Sequence, residues 1–514
     1  MRIDFTPLVR NHFKKIARRV AGWKDNTETI QTEILRKLLS RAENTVYGRQ
    51  SGFSSILQAD SLYEAYSSAV PLVGYEDIRP LVMRMIKGEK DVLWPGLCHD
   101  YAQSSGTSGG KSKYVPVTSD SLQGNHYRGG EDAVAHYLNN NPRSRMFSGK
   151  GFILGGSFSN TLDIHEGNVK VGDLSATLIN RITPLAELVR VPDKKTALLS
   201  DWEQKLPALV EKASKEYVTN ISGVPSWFLT VLRRIMAASE TDSIKDVWPG
   251  LEVFFHGGIS FEPYREEYLE ITKGLDMHFV ETYNASEGFF GVQNDPADPS
   301  LLLIIDRDVF YEFLPIGDDD AKAIPAWKTE AGKIYELVIS ASNGLWRYRL
   351  GDTVRVTSVN PVKIKIAGRT GGFINAFGEE LMEDNAEKAI AQAADKCGAH
   401  ILNYTAAPVY AKRGKKGRHQ WLVEWETPPR DMAEFTRVMD TALRSLNSDY
   451  DAKRSKSIFL DPPEIITAKK GLFDEWLKLA GSHKLGGQRK VPRLSNSREM
   501  IEKLLELNKN NLQE

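Results

Sequence analysis

The residues best equipped for chemistry lie between positions 104 and 113: Ser104-Ser105-Gly106-Thr107-Ser108-Gly109-Gly110-Lys111-Ser112-Lys113. Glycines let a backbone come close to a polyphosphate and adopt dihedrals closed to other residues. The N–H groups, hydroxyls and lysines of such a loop are donors to phosphate oxygens. The spacing is not that of a Walker loop, which places four residues between its first glycine and its Gly-Lys pair. Here Gly106 and Gly110 enclose only three. A Walker loop also opens directly into a helix. Tyr114-Val115-Pro116-Val117 instead reads as a strand, and Thr118-Ser119-Asp120 as the cap of a later helix. The loop is therefore expected between two strands. The plain alternative is a Gly/Ser turn without a ligand.

Three further segments have chemical potential. Thr282-Tyr283-Asn284-Ala285-Ser286-Glu287-Gly288 follows the apolar Met277 to Val280. Its aromatic can stack on a base, its hydroxyl can reach a phosphate, and its carboxylate is an oxygen ligand for Mg²⁺. Asn, Ser and Gly also gather at turns for conformational reasons alone. Arg347-Tyr348-Arg349-Leu350-Gly351-Asp352 reads as a strand ending on a carboxylate, placed to accept from ribose hydroxyls; a β-turn aspartate is the alternative. Gly487-Gln488-Arg489-Lys490-Val491-Pro492-Arg493 is a glycine-flanked basic segment, either a phosphate-directed lysine or an ordinary surface loop.

Elements must hold these segments in place. Ile30, Ile34, Leu38 and Leu39 form one face of a helix from Glu28 to Glu43. From Tyr101 to about Val359, strands (Gly151 to Gly155, Leu251 to Phe255, Leu301 to Ile305, Val309 to Leu314, Lys333 to Ser340) alternate with helices (Asp120 to Leu138, Leu206 to Glu216, Pro225 to Ala238). That mixture predicts an α/β domain with a substantial mixed sheet and flanking helices. A small α+β region follows. It has a helix from Glu383 to Cys397, a hairpin of Tyr404 to Tyr410 and His419 to Trp425 around a basic loop, a helix from Met432 to Leu446, and a short strand near Ile465. The expected division is a large domain over 1–367, a hinge over 368–372 and a small, mobile C-terminal domain over 373–514.

Composition narrows the class. A chain of 514 residues exceeds one typical domain. Lys+Arg and Asp+Glu both number 67, and this balance argues against a nucleic-acid partner. Cys98 and Cys397 are the only cysteines, which fits a reducing, cytoplasmic setting rather than a disulfide framework. The first residues form an amphipathic pattern broken by Lys14, Lys15, Arg18 and Arg19, expected as a helix packed on the globule rather than a membrane segment.

Taken together and in order, the four segments resemble the adenylate-forming superfamily, and most closely the Gretchen-Hagen-type (auxin-responsive) acyl acid amido synthetases. The matching stretches are Ser104 to Lys113, Tyr283 to Glu287, Tyr348 to Asp352 and Gln488 to Arg493, with lesser ones at Val70-Pro71, Tyr75-Glu76-Asp77 and Leu93-Trp94-Pro95-Gly96. The resemblance implies a ligase that adenylates a carboxylic acid with ATP and Mg²⁺ and passes the acyl group to an amino acid. An acyl-CoA ligase and a nucleotide-binding relative with a degenerate site stay open as alternatives. By the same resemblance Ser104, Ser105, Gly106, Thr107, Ser108 and Lys113 would hold the phosphates and Ser286 would touch them. Tyr283 would lie against adenine, Glu287 would hold Mg²⁺, Asp352 would bind ribose, and Lys490 would bridge carboxylate and α-phosphate. Gly257 and Gly258 resemble the glycine pair beside the superfamily's adenine and, with Trp227 and Phe228, are candidates for lining the acyl pocket. The acidic hinge residue of many acyl-CoA ligases has no counterpart here before Glu379. The expected assembly is a monomer or homodimer.

Overall fold

The structure is a computed structural model and describes residues 3–104, 113–158, 162, 169–316, 321–369, 372–411, 416–455, 459–479 and 491–510. The chain divides into two compact units, one of Met1–Ser104 with Lys113–Thr370, the other containing Gly371–Glu514.

The first unit opens with helices. Thr6–Arg18 is held to the globule by Arg10, whose guanidinium donates to the carbonyls of Leu138 (3.0 Å) and Ser144 (2.8 Å). No described helix is long and apolar enough to cross a membrane. Thr27–Ala42 buries Ile34, Leu38 and Leu39 of the expected stripe and adds Leu35, while Ile30 is only half-buried. One polar residue interrupts this face. Gln31, fully buried, donates to the carbonyls of Ile305 (2.6 Å) and Val309 (3.0 Å) and accepts from Tyr311 N–H (2.8 Å). Its amide satisfies sheet backbone that would otherwise be unpaired.

The strands of this unit are β1 (Asp100–Ser104), β2 (Lys113–Val117), β3 (Lys150–Ile153), β4 (Lys170–Gly172), β5 (Arg190–Val191), β6 (Val218–Gly223), β7 (Val253–His256), β8 (His278–Ala285), β9 (Gly288–Val292), β10 (Leu301–Leu303), β11 (Val309–Pro315), β12 (Ile324–Pro325), β13 (Ile334–Ala341), β14 (Tyr348–Val359) and β15 (Val362–Arg369). Twelve of them form one sheet, ordered β12-β11-β13-β14-β15-β10-β9-β8-β7-β6-β3-β5. It is parallel from β5 through β8 and antiparallel from β8 onward. β8 is therefore the strand at which the sheet changes character. A separate small sheet, β2-β1-β4, carries the Gly/Ser-rich loop between two antiparallel strands, with Ser104 paired to Lys113. Among the described residues this is the strand–loop–strand setting expected, not the strand–loop–helix of a Walker motif.

Two expectations need correction. The helix from Asp120 to Leu138 is not continuous: a π-helical segment, Leu122–His126, separates a short turn from the helix Tyr127–Asn140. Gly351 and Asp352 do not end a strand. They lie inside β14, where four steps (Arg349 to Thr353) face only two on β13 (Val338 to Glu336). Gly351 takes φ +79°, which lets the strand absorb the extra residues as a bulge and continue.

Below this bulge is a buried ion pair. The Arg347 guanidinium donates to both Glu312 oxygens and to the carbonyls of Ser67 (2.8 Å) and Val70 (2.7 Å). Arg347 is 6% exposed, Glu312 is wholly buried, and Arg347 holds φ +43°.

The second unit has β16 (Phe373–Ile374) paired with β17 (Leu381–Met382), and a sheet of β18 (His400–Val409), β19 (Arg418–Thr427) and β20 (Glu464–Ala468). Helices Glu383–Cys397 and Met432–Leu446 supply Ala386, Ala389, Ile390, Phe435 and Met439 to a core with Trp421 and Val423. Glu379 lies inside this unit, wholly buried, accepting from the N–H groups of Ala376 (3.2 Å) and Phe377 (2.6 Å) and pairing with His419 (2.7 Å). Its role is to tie a turn to the sheet.

Candidate active site

Tyr283 and Asp352 are 69 residues apart, and the Tyr283 hydroxyl donates to Asp352 Oδ2 at 2.6 Å. β8 presents Tyr283 and the β14 bulge presents Asp352, so both motifs meet on one sheet. Tyr283 is 5% exposed and its ring packs edge-on against Phe290, centroids 5.1 Å apart. Ser286 and Glu287 form the turn of the β8–β9 hairpin, both half-buried.

Hydrogen bonds extend from this pair towards Lys113, the first residue of β2. Tyr114 N–H donates to the Tyr75 hydroxyl at 2.7 Å. Val73, two residues earlier, pairs with Tyr348, and Arg349 N–H donates to its carbonyl at 2.9 Å. At the far end of β2, the Thr118 hydroxyl donates to Ser342 O at 2.7 Å, and Asn343 Nδ2 donates to Glu287 O at 2.9 Å. Backbone and side-chain bonds thus connect the base of the Gly/Ser-rich loop, the Tyr-x-x-Ser-Glu turn and the Gly-Asp bulge. Ser104 is the last residue of β1 on the other side of the loop. Ser105, Gly106, Thr107 and Ser108 lie outside the described residues.

Gly257 and Gly258 follow β7. A Cβ on Gly257 would stand 2.4 Å from the Thr282 carbonyl oxygen, so the approach of this turn to β8 requires glycine. The Thr282 hydroxyl donates to His256 O at 3.0 Å and reinforces that contact. His256, Phe261, Glu262, Arg265 and Glu281 line a cavity of about 360 Å³. Glu281 lines this cavity and Tyr283, two residues later on β8, does not. Burial pushes the His256 imidazole down to about 3, and its ring stacks on Phe261 at 4.2 Å. Burial also raises the Glu281 carboxyl above its usual range, with Glu262 adding to the effect. Glu281 is not singled out by motif chemistry; its position two residues before Tyr283 on a strand is the signal the sequence offers for it.

Trp227 and Phe228 open the helix Pro225–Ala238. Phe228 is wholly buried, with ring contacts to Phe152 (5.1 Å) and Phe254 (5.4 Å). It belongs to the core, because the apolar face of this helix covers the parallel strands, and it presents no surface to a pocket. Trp227 is half-buried.

Lys490 lies outside the described residues. The residues after it are well anchored within their own unit. Val491 is 6% exposed in a cluster with Ala407, Leu422 and Phe473. The Thr405 hydroxyl donates to Pro492 O at 2.7 Å, and Ala406 N–H donates to Arg493 O at 2.9 Å. Of the expected hinge, Gly368 and Arg369 belong to β15, paired with Thr353 and Asp352.

No cluster of three or more His, Cys, Asp or Glu side chains placed to hold a metal occurs among the described residues. Mg²⁺ commonly uses one or two protein carboxylates plus substrate phosphates, and Glu287 on its turn is a carboxylate of that chemical type.

Comparison with known proteins covers nearly the whole chain. Models described as the GH3 family N-terminal, central and C-terminal domains match residues 17–277, 302–369 and 384–499. An indole-3-acetic acid-amido synthetase of Arabidopsis thaliana (GH3.3) is 24% identical, covering 93% of this chain and 91% of its own. A 4-substituted benzoates-glutamate ligase of the same plant (GH3.12) is 23% identical, covering 93% and 95%. A solved structure of the AtGH3.15 acyl acid amido synthetase with 2,4-DB shares the fold, with a TM-score of 0.59 at 21% identity, covering 97% of this chain and 96% of that one.

Proposed function

The chain belongs to the GH3 family and is a ligase of the adenylate-forming type; we propose that it adenylates a carboxylic acid with ATP and transfers the acyl group to an amino-acid amine. The observation that carries this proposal is the Tyr283–Asp352 hydrogen bond at 2.6 Å, which unites two motifs of nucleotide type at one point of the sheet.

In the first half-reaction a carboxylate oxygen of the acid attacks the α-phosphorus, and pyrophosphate leaves with the electrons of the α–β bridge. Negative charge grows on phosphoryl oxygens, so fixed cations and backbone donors provide the catalysis. Lys113 and the loop from Ser104 to Ser108 bind the phosphates, and Ser286 adds a hydroxyl. Lys490 neutralises charge where carboxylate and α-phosphate meet. Asp352 accepts from the ribose hydroxyls, and Tyr283 presents its ring to adenine, with the Gly257-Gly258 turn beside the base. Glu287 holds the Mg²⁺ that accompanies ATP, and that ion supplies charge neutralisation to the phosphates. In the second half-reaction the amine nitrogen of an amino acid attacks the acyl carbon, AMP departs, and the nitrogen loses its proton. The pivot between the two steps is the 368–372 segment, of which residues 370 and 371 lie outside the described residues. Two relatives are named for different acids, indole-3-acetic acid and 4-substituted benzoates, so the family alone does not specify the acid used here. The free thiols of Cys98 and Cys397 support a cytoplasmic location.

The test is acid-dependent ATP–pyrophosphate exchange over a broad acid panel, followed by amide formation with the twenty amino acids. Exchange that requires an acid and is lost in Lys490→Ala, with amide product, is the expected result. Exchange followed by transfer to coenzyme A and to no amine would overturn the acceptor assignment. ATP binding without exchange for any acid would overturn the adenylation itself.

A further inference from the structure

The turn bearing Glu287 is not fixed by its own sequence. Two-residue hairpins favour turns with positive φ, whose twist matches the flanking strands. Neither Ser286 nor Glu287 takes positive φ. The β8–β9 register also slips beside the turn: Tyr283 faces Gly291, but Asn284 faces Phe289. An irregular hairpin end of this kind needs outside support to present a carboxylate in one orientation.

Two buried asparagines supply that support from different elements. Asn125, 2% exposed, comes from the π-helical segment Leu122–His126. It accepts from Phe289 N–H (2.6 Å) and donates to Phe289 O (3.0 Å), as a neighbouring strand would. It donates also to Arg307 O at 2.9 Å. Asn343, 1% exposed, follows β13 and donates to the Glu287 carbonyl at 2.9 Å, while its Oδ1 accepts from Leu345 N–H at 3.3 Å. One asparagine holds the chain two residues after Glu287 and the other holds Glu287 itself. The fit at Gly288 is close, since a Cβ there would stand 3.1 Å from Asn125 Oδ1.

We infer that Asn125 and Asn343 are positioning residues for Glu287, setting the affinity for the nucleotide-borne divalent cation through the backbone of the turn. The inference rests on the assignment of Glu287 as a cation ligand. The π segment has a reason on this view: an unbroken α-helix would rotate position 125 away from β9.

The test uses the full-length enzyme with α,β-methylene-ATP, which cannot be cleaved, and Mn²⁺ as the probe, with bound metal read by electron paramagnetic resonance. The variants are Asn343→Asp, which turns an acceptor toward the Glu287 carbonyl, and Asn343→Ala, which only deletes the donor. Asn125→Asp keeps the bond from Phe289 N–H and loses both donations. Glu287→Gln is the reference. Each folded asparagine variant should weaken Mn²⁺ in the ternary complex about tenfold, the effect of one buried hydrogen bond, with binding of the metal-free analogue unchanged. If Glu287→Gln leaves Mn²⁺ affinity intact, the ligand assignment fails and the inference with it. If Glu287→Gln weakens Mn²⁺ while Asn343→Ala lowers only the melting temperature, the asparagines are structural and the inference alone is overturned.

Discussion

Replacing Tyr283 with Phe removes one oxygen and, with it, the donor to Asp352 Oδ2 at 2.6 Å. The ring stays, and so does its packing on Phe290 at 5.1 Å. Hydrogen bonds to charged groups contribute about 1.5–3 kcal/mol. If Asp352 is oriented for ribose by this bond, that energy appears as weaker ATP binding, a rise of about 10- to 150-fold in the KM for ATP. The KM for the acid should stay near its wild-type value, because the acid does not meet this pair. The assay is acid-dependent pyrophosphate exchange with ATP varied, on Tyr283→Phe, Asp352→Asn and the double variant. Asp352→Asn should be the more severe single change, since it also weakens the acceptor for ribose. The double variant should be no worse than Asp352→Asn, because the two side chains act as a unit. Additive losses, or a folded Tyr283→Phe within about twofold of wild type for ATP, well short of one charged hydrogen bond, would refute the reasoning.

Three other perturbations have definite expected outcomes. Glu312→Gln leaves Arg347 buried without its counter-charge and should lower unfolding stability by about 3–5 kcal/mol in urea titration; a loss below about 1 kcal/mol, typical of exposed pairs, would show that water relieves the arginine. Burial depresses His256 to about 3 and His126 and His136 to about 4 from 6.5. The unfolded chain then binds more protons than the folded one below 6.5, so stability is full above that pH and falls toward pH 4 by roughly 1.4 kcal/mol per pH unit per histidine. His256→Phe, which keeps a ring against Phe261, should flatten the pH dependence of the urea midpoint, and an unchanged slope would discount His256. Gly257→Ala forces a Cβ to within 2.4 Å of the Thr282 carbonyl and should raise the KM for ATP while the helix Pro225–Ala238 and its core survive; an unaffected KM would separate this turn from the nucleotide.

Elements whose pattern is local are legible without the fold. The helices Pro225–Ala238, Glu383–Cys397 and Met432–Leu446 run over the residues that their periodicity predicts, because an apolar stripe and a defined cap are properties of a short stretch of chain. The family is legible in the same way, since four ordered motifs are a linear signal. Tertiary structure decided what depended on partners distant in the chain. The π segment at Leu122–His126 has no local signature, and the partner of its Asn125 is Phe289, 164 residues away. The bulge at Gly351 exists because β13 offers fewer residues than β14, a mismatch invisible in either strand alone. Phe228 reads equally as pocket or core until Phe152 and Phe254 are placed around it. The setting of Glu281 emerges only when His256, Phe261 and Arg265 are placed around it over a cavity. Motif residues are legible because their chemistry is intrinsic to the side chain; orientation, burial and support are not, because they are supplied by neighbours that only the folded chain brings together.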